Sequence, residues 1–265
     1  MLALIIGVSV ALAVAMVIAW LIQRRVRNAG WVDVVWSFAL GAAGVAYALF
    51  PINAETTSAR QWLVAALAAM WSLRLGVHIA QRTLHGAEDR RYAQFRRDWG
   101  DAFDMRMFWF LQIQALAAAL LALSMLLAAR NPRPLSAMDL VGGLVLVIAI
   151  IGEALADRQL RQFRTDPQRH GGVCDNGLWG WSRHPNYFFE WLGWVAYPLL
   201  AIDLSGGFGW GWFALAAPAF MYWLLVYVSG IPPLERQMLH SRGDAFRSYQ
   251  ARVSAFIPLP PTRLP

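Results

Sequence analysis

Seven apolar stretches, each close to the ~20 residues that a membrane-crossing helix needs, dominate this 265-residue chain. They fall at about 2–22, 31–50, 61–80, 107–129, 137–156, 188–204 and 208–229. Within hydrocarbon every backbone N–H and C=O must be satisfied internally, so such stretches become helices. The expected fold is therefore all-α: a polytopic membrane bundle of about seven transmembrane helices. Composition agrees. Hydrophobic residues make up 58% and charged residues 15%, against about 25% charged in soluble domains. A water-soluble globular enzyme is excluded on this ground, and disorder by the hydrophobicity. Ser205-Gly206-Gly207 between the last two stretches reads as a tight turn closing a helical hairpin.

All 23 basic residues are arginines. Three lie in 23–30, six in 81–106, five in 157–187 and five in the tail, so nineteen share one side of the expected membrane. Arg60, Arg130 and Arg133 lie on the other side and Arg74 lies within the third stretch. By the positive-inside rule the N-terminus is out and the C-terminus in. Arg24, Arg25 and Arg27 follow the first apolar run instead of preceding it, the reverse of a signal peptide, so that run reads as a retained helix. The localisation expected is multi-pass in a bacterial inner membrane. The bilayer is then the partner of this net charge of +7, and nucleic acid is not. Trp20, Trp31, Trp62, Trp109, Trp191, Trp210 and Trp212 fall near span ends and read as interfacial belt residues. A single cysteine, Cys174, rules out an internal disulfide. His78, His85, His170, His184 and His240 show no paired metal spacing, so no metal is expected. The whole chain reads as one integral-membrane domain.

Charged groups inside spans are costly and call for a partner or a task. Asp33, Arg74, Glu153 and Glu190 qualify. Asp33 and Arg74 read either as a structural ion pair or as a site in which Asp33 is a buried acid facing a cavity. Glu153-x3-Asp157-x6-Arg164 places three groups on one helix face, a stripe leaving the membrane. The segment 177–190 is the densest: Ser182, Arg183, His184, Asn186 and Tyr187 cluster where Pro185 opens the next helix, followed by Glu190. A helix start beside an arginine suits an anion. After the last span, Glu235 and Tyr249 lie in a stretch that reads as one short amphipathic helix with a Pro-rich end.

The string GLWGWSRHPNYFFEWLGW from Gly177 resembles the C-terminal domain of the steroid 5-alpha-reductase family. Together with RNAGWVDVVWSF from Arg27, WSLRLGVHIAQRTLHGAEDRRY from Trp71 and PPLERQMLHSRGDAFRSYQARVSAFIP from Pro232, it is similar to a bacterial membrane-protein family placed beside those reductases, the domain of unknown function 1295. The resemblance spans nearly the whole chain. It implies a membrane reductase using NADPH, with 1–106 as the substrate side and 107–265 as the cofactor side. It further implies that Glu153, Asp157, Arg164, Ser182, Arg183, His184, Asn186, Tyr187, Glu190, Glu235 and Tyr249 hold the cofactor. Arg82 and the run from Glu88 through Arg90 and Arg91 to Tyr92 would cap the nucleotide. Guanidinium forks suit its phosphates.

On this reading a hydride passes to a conjugated double bond of a lipid-like substrate, steroid, isoprenoid or fatty-acyl, and an acid polarises its carbonyl. Asp33, with Arg74 beside it, is the expected acid. Steroid reductases carry a Gln-Glu pair in the second span and a tyrosine in the third; here those spans offer Asp33 without a preceding Gln, and Trp71, Ser72 and Arg74. An S-adenosylmethionine-dependent membrane methyltransferase of the isoprenylcysteine or phospholipid type is the alternative, with Arg183-His184-Pro185, Glu235 and Tyr249 at its cofactor. A non-catalytic membrane protein is the third reading. The orientation is checked by single-cysteine labelling in a C174S background. A cysteine at Ser241 labels only from the cytoplasmic face and one at Ser205 only from the opposite face; the reverse pattern rejects the assignment.

Overall fold

The computed structural model describes residues 1–52, 57–86, 88–169 and 171–262, with Arg90 described by its backbone alone. The roles expected for the Arg90 side chain, His170 and Arg263 lie outside the described residues. Among the described residues ten α-helices follow one another: α1 Leu2–Val26, α2 Gly30–Leu49, α3 Ala59–His85, α4 Arg90–Trp99, α5 Phe103–Ala129, α6 Ala137–Thr165, α7 Pro185–Ala201, α8 Ala216–Trp223, α9 Ile231–Arg242 and α10 Asp244–Arg252. The described residues hold no β-strand, only an isolated parallel bridge between Ser182 and Ser254. The chain is an all-α, multi-pass integral membrane protein.

Among the described residues, six helical runs are long and apolar enough to cross a membrane: Leu2–Val26, Gly30–Leu49, Ala59–His85, Arg91–Ala129, Ala137–Thr165 and Gly209–Arg242. The stretch expected at 188–204 is α7, which has 17 residues and carries Pro198. At about 1.5 Å per residue it spans roughly 25 Å, short of a full ~30 Å core. The last run is not one regular helix. It opens as a 3-10 helix at Gly209–Leu215, continues as α8, and loosens into a π-turn at Leu224–Val228. There the amides of Ser229 and Gly230 both donate to the Leu224 carbonyl, at 2.8 and 3.3 Å. The single amphipathic helix expected after the last span is in fact two. Gly243, at φ 53°, separates α9 from α10 in a conformation that L side chains rarely adopt.

The helices form two compact units. The first comprises Met1–Asp139 and Leu200–Ala214, so the fourth apolar helix, α5, belongs with the first three. Its core joins Met16 and Ala19 of α1, Val32 of α2, Tyr92 of α4 and Met107, Leu111 and Ala115 of α5. On α4 the rings of Tyr92, Phe95 and Trp99 extend this core, and Phe95 stacks on Trp99 at 4.6 Å. α2 and α3 approach closely. The Ser72 hydroxyl donates to the Ser37 carbonyl at 2.9 Å, and a Cβ on Gly41 would collide with Ser72. Small residues are what permit such contacts between membrane helices.

Arg60 reads from the sequence as a loop charge, and Asp139 attracts no notice there. The structure buries both, at 2% and 3% exposure, as an ion pair. Arg60 also donates to the carbonyls of Leu200 at 2.9 Å and Pro134 at 2.9 Å. Asn131 Nδ2 donates to the carbonyls of Leu200 and Ala201, and Ser136 N–H donates to Asp139 at 2.8 Å. Long-range pairing of residues 79 apart fastens the start of α3 to the start of α6 and the 200–214 segment. The second unit comprises Leu140–Leu199 and Leu215–Pro265 and holds α6 to α10. Removing one partner of a buried pair leaves the other uncompensated, at a cost of about 3–5 kcal/mol. R60A is therefore expected to lower the melting temperature strongly in detergent, and R60M/D139L to recover part of the loss; equal melting of R60A and wild type rejects the fastener.

Candidate functional site

α6 and α7 of the second unit build a polar seam. Two glycines let the helices meet: a Cβ on Gly152 would lie 2.4 Å from the Phe189 ring, and one on Gly193 would lie 3.2 Å from Leu146. At the end of the seam Asn186 Nδ2 donates to Asp157 Oδ1 at 3.4 Å. Those contacts fix the antiparallel register, and that register sets Glu153 of α6 level with Glu190 of α7. Glu153 is 6% exposed, and Glu190 Oε1 accepts from the Trp194 indole at 2.9 Å. Four of the residues expected from the sequence, Glu153, Asp157, Asn186 and Glu190, thus share one helix–helix seam. Arg164 projects from the exposed end of the α6 stripe, eleven residues or about 17 Å from Glu153. Tyr187 follows Asn186 and stacks on the His184 ring with centroids 5.5 Å apart.

Residues 182–184 do something else: they grip the tail. Arg183 Nε donates to Glu235 Oε1 at 2.7 Å, and its Nη1 donates to the carbonyls of Val253 at 2.6 Å and Gln250 at 3.2 Å. His184 Nε2 lies 3.0 Å from the same Glu235 oxygen, and Gln250 Nε2 donates to Glu235 Oε2 at 2.7 Å. Ser182 Oγ donates to the Phe256 carbonyl at 2.8 Å. The Tyr249 hydroxyl donates to the Trp179 carbonyl at 2.5 Å, and Leu259 N–H reaches the Trp181 carbonyl at 2.9 Å. Ser182, Arg183, His184, Glu235 and Tyr249 therefore form a clasp holding α9, α10 and residues 253–259 against the start of α7. Burial raises the Tyr249 phenol well above its ordinary range, so it stays a donor. Burial also pushes the Cys174 thiol up to about 11, which leaves it protonated and a poor nucleophile.

A half-open cavity of about 310 Å³ lies beside the end of α6, lined by Gln159, Gln162, Phe163, Asp166, Arg169, Asn176 and Gly177. These α6 positions occupy the flank opposite the Glu153–Asp157–Arg164 stripe. Among the described residues, no group of three His, Cys, Asp or Glu side chains is placed to hold a metal ion.

The remaining expected residues belong to the first unit. Asp33 opens α2, and its carboxylate accepts from Arg91 at 2.8 Å and from the Tyr92 hydroxyl at 2.7 Å. The partners come from α4, where the sequence alone pointed to Arg74. Accepting from both, the Asp33 side chain ties α4 to α2. Arg82 pairs with Asp89 at 3.2 Å, as does Arg91. Burial alone would raise Asp89; the Arg91 charge, the Arg91 N–H that it caps and Arg82 together hold its carboxyl below the ordinary range. Glu88, passed over as one acid in a run, caps the Ala29 amide at 2.9 Å and pairs with Arg96. A carboxylate just before α4 whose arginine lies eight residues on was the available signal.

The clasp carries a pH signature. Burial lowers the His184 pKa, against the raising effect of its Glu235 hydrogen bond and charge. The unfolded chain then takes up a proton near pH 6.5 that the folded chain does not, so stability falls as pH drops below about 6.5, at no more than ~1.4 kcal/mol per pH unit. Melting temperatures measured from pH 8 to 5.5 are expected to show this slope in wild type and to lose it in H184Q. An unchanged slope in H184Q rejects the assignment.

Comparison with known proteins agrees with the extent of this fold. An uncharacterized protein of Schizosaccharomyces pombe is 27% identical over 270 residues, covering 91% of this chain and 76% of its own length. The likeness therefore reaches a fungus. No solved structure matches. A family model described as protein of unknown function, DUF1295, matches residues 19–253, and the chain belongs to that family.

Proposed function

We propose that the protein is an NADPH-dependent reductase of a conjugated C=C bond in a lipid-like substrate, acting in a bacterial inner membrane with its cofactor seam open to the cytoplasm. The observation that carries this reading is the meeting of Asp157 and Asn186 at the end of a seam that holds Glu153 and Glu190 deeper in. A dinucleotide is long, and carries hydroxyl and carboxamide groups at one end of its span and phosphates further along. The stripe has matching chemistry in that order. Glu153 and Asp157 accept from ribose or carboxamide donors, and Arg164, with Arg158 and Arg161 near it on α6, meets the phosphates. Asn186 and Tyr187 stand at the start of α7, where helix N–H groups favour an anion. Bound there, NADPH would supply the hydride, a proton from solvent would complete the reduction, and the chain would hold and orient the cofactor.

The clasp residues are assigned to holding the tail, since Arg183 and Gln250 both donate to Glu235 and the Tyr249 hydroxyl donates to the Trp179 carbonyl. The methyltransferase alternative rests chiefly on those same side chains and gives the arginines of α6 no task, because S-adenosylmethionine has no phosphate. Fluorescence titration of the full chain in nanodiscs tests the choice. NADPH binding is expected, with R164A weakening it about ten- to a hundredfold, the loss of one charge-assisted contact. Binding of S-adenosylmethionine without NADPH rejects the reductase.

A further inference from the structure

We infer that α6 carries a binding site for one anionic phospholipid whose headgroup ends in a neutral polyol, as in phosphatidylglycerol. The site lies on the flank of α6 away from the cofactor seam, so it goes beyond the reductase reading and stands without it. Two features meet there: an exposed apolar stripe and the polar cavity at its end.

Leu140, Leu144, Ile148, Ile151 and Leu155 of α6 are all exposed. Seven residues bring an α-helix back to nearly the same face, with a drift of about 20°. The line through Leu144 and Ile151 therefore continues at Arg158, and the line through Ile148 and Leu155 at Gln162. The stripe along which acyl chains lie turns polar at these two residues, both exposed. α6 has 29 residues, about 43 Å of helix, which matches a bilayer of ~40–45 Å with both headgroup layers included. Its last two turns thus stand at headgroup depth. The cavity of about 310 Å³ lies beside those turns, with Gln159, Gln162 and Phe163 in its wall. Gln162 belongs to both features, to the stripe by its register and to the cavity as part of its lining.

The charges choose the lipid. Arg158 makes no ion pair among the described residues, and a guanidinium at headgroup depth is the complement of a phosphodiester. It lies about 120° round the helix from Arg164, so it serves the lipid side while Arg164 serves the seam. Inside the cavity the charges cancel. Arg169 pairs with Asp166 at 3.2 Å, and the other Asp166 oxygen accepts from the Gln168 N–H at 3.0 Å. An ammonium headgroup therefore finds no free carboxylate. The cavity offers carboxamides instead. Gln159 Oε1 accepts from the Leu178 N–H at 3.0 Å, which fixes its Nε2 over Gly177, where a Cβ would lie 2.6 Å away. Asn176 Oδ1 accepts from the Cys174 thiol at 3.5 Å. The N–H donors of these two amides and the whole Gln162 amide are left for a ligand. Hydroxyl groups, which both donate and accept, are their complement. A phospholipid with its chains on the stripe and its phosphate at Arg158 places polyol hydroxyls in this cavity.

Native mass spectrometry of the full chain in detergent tests this, reading the affinity for each added lipid. The three probes share dioleoyl chains: phosphatidylglycerol, phosphatidic acid (the phosphate without the polyol) and phosphatidylethanolamine (an ammonium in its place). One equivalent of phosphatidylglycerol is expected to bind wild type about tenfold tighter than either of the others, the gain from two hydrogen bonds to hydroxyls. This order needs no variant. Q162A is expected to erase most of the preference and to leave phosphatidic acid binding unchanged. R158A is expected to weaken phosphatidylglycerol and phosphatidic acid alike, by about tenfold or more, the loss of one charge-assisted contact. R25A, which removes an exposed arginine at the end of α1, is expected to change neither. Phosphatidic acid or phosphatidylethanolamine that binds as tightly as phosphatidylglycerol overturns the proposal, as does a preference that survives Q162A. R25A weakening phosphatidylglycerol as much as R158A overturns it too, because bulk charge then accounts for the binding. So does soluble glycerophosphoglycerol that binds as tightly as the whole lipid, since the stripe then contributes nothing.

Discussion

Water is absent from the bilayer core, so each charged or hydrogen-bonding group inside this bundle must be answered by another part of the same chain or by something the chain binds. That constraint organises both units. In the first, Arg60 is answered by Asp139 and by backbone carbonyls of Leu200 and Pro134, and Asn131 bonds the carbonyls of Leu200 and Ala201. The result is a dry, hydrogen-bonded fastener. In the second, the polar groups gather in the α6–α7 seam, and the glycines at 152 and 193 decide how closely its two walls approach. A seam of this kind is unfavourable for stability alone, since apolar residues would pack there at lower cost. Its polarity is what the proposed ligand chemistry uses.

The segment 182–190 divides within a few residues between two physical tasks. Before the helix begins, Ser182, Arg183 and His184 turn their polar atoms to the tail and to Glu235. From Asn186 onwards the helical periodicity turns the polar groups to α6 instead. Pro185 stands at the change. Its fixed φ starts the helix, and the missing N–H costs nothing in the first turn. The clasp therefore ties the tail to the start of the helix whose inner face forms the seam.

Much of this was legible in the sequence. The length and hydropathy of the runs demanded helices, because only helices satisfy the backbone of a single segment in lipid. A carboxylate at Glu153 inside an apolar run, with Asp157 and Arg164 on its face, marked α6 as more than an anchor. The grouping at 182–190 marked the start of α7. The partners were not legible. Asp33 meets Arg91 and Tyr92 across 58 and 59 residues, Arg183 meets Glu235 across 52, and Arg60 meets Asp139 across 79. The π-turn at Leu224–Val228 and the break at Gly243 escaped notice because composition on either side of them is continuous.

The sequence by itself determined that the apolar segments are helical, which of their faces are polar and which residue types are present to bind phosphate and amide groups, since these follow from local periodicity and solvation. Only the tertiary structure decided which of those groups bond one another and which line a seam. Those outcomes depend on the register between helices far apart in the chain. That register is set by close contacts such as Phe189 against Gly152 and Leu146 against Gly193, whose effect no single helix contains.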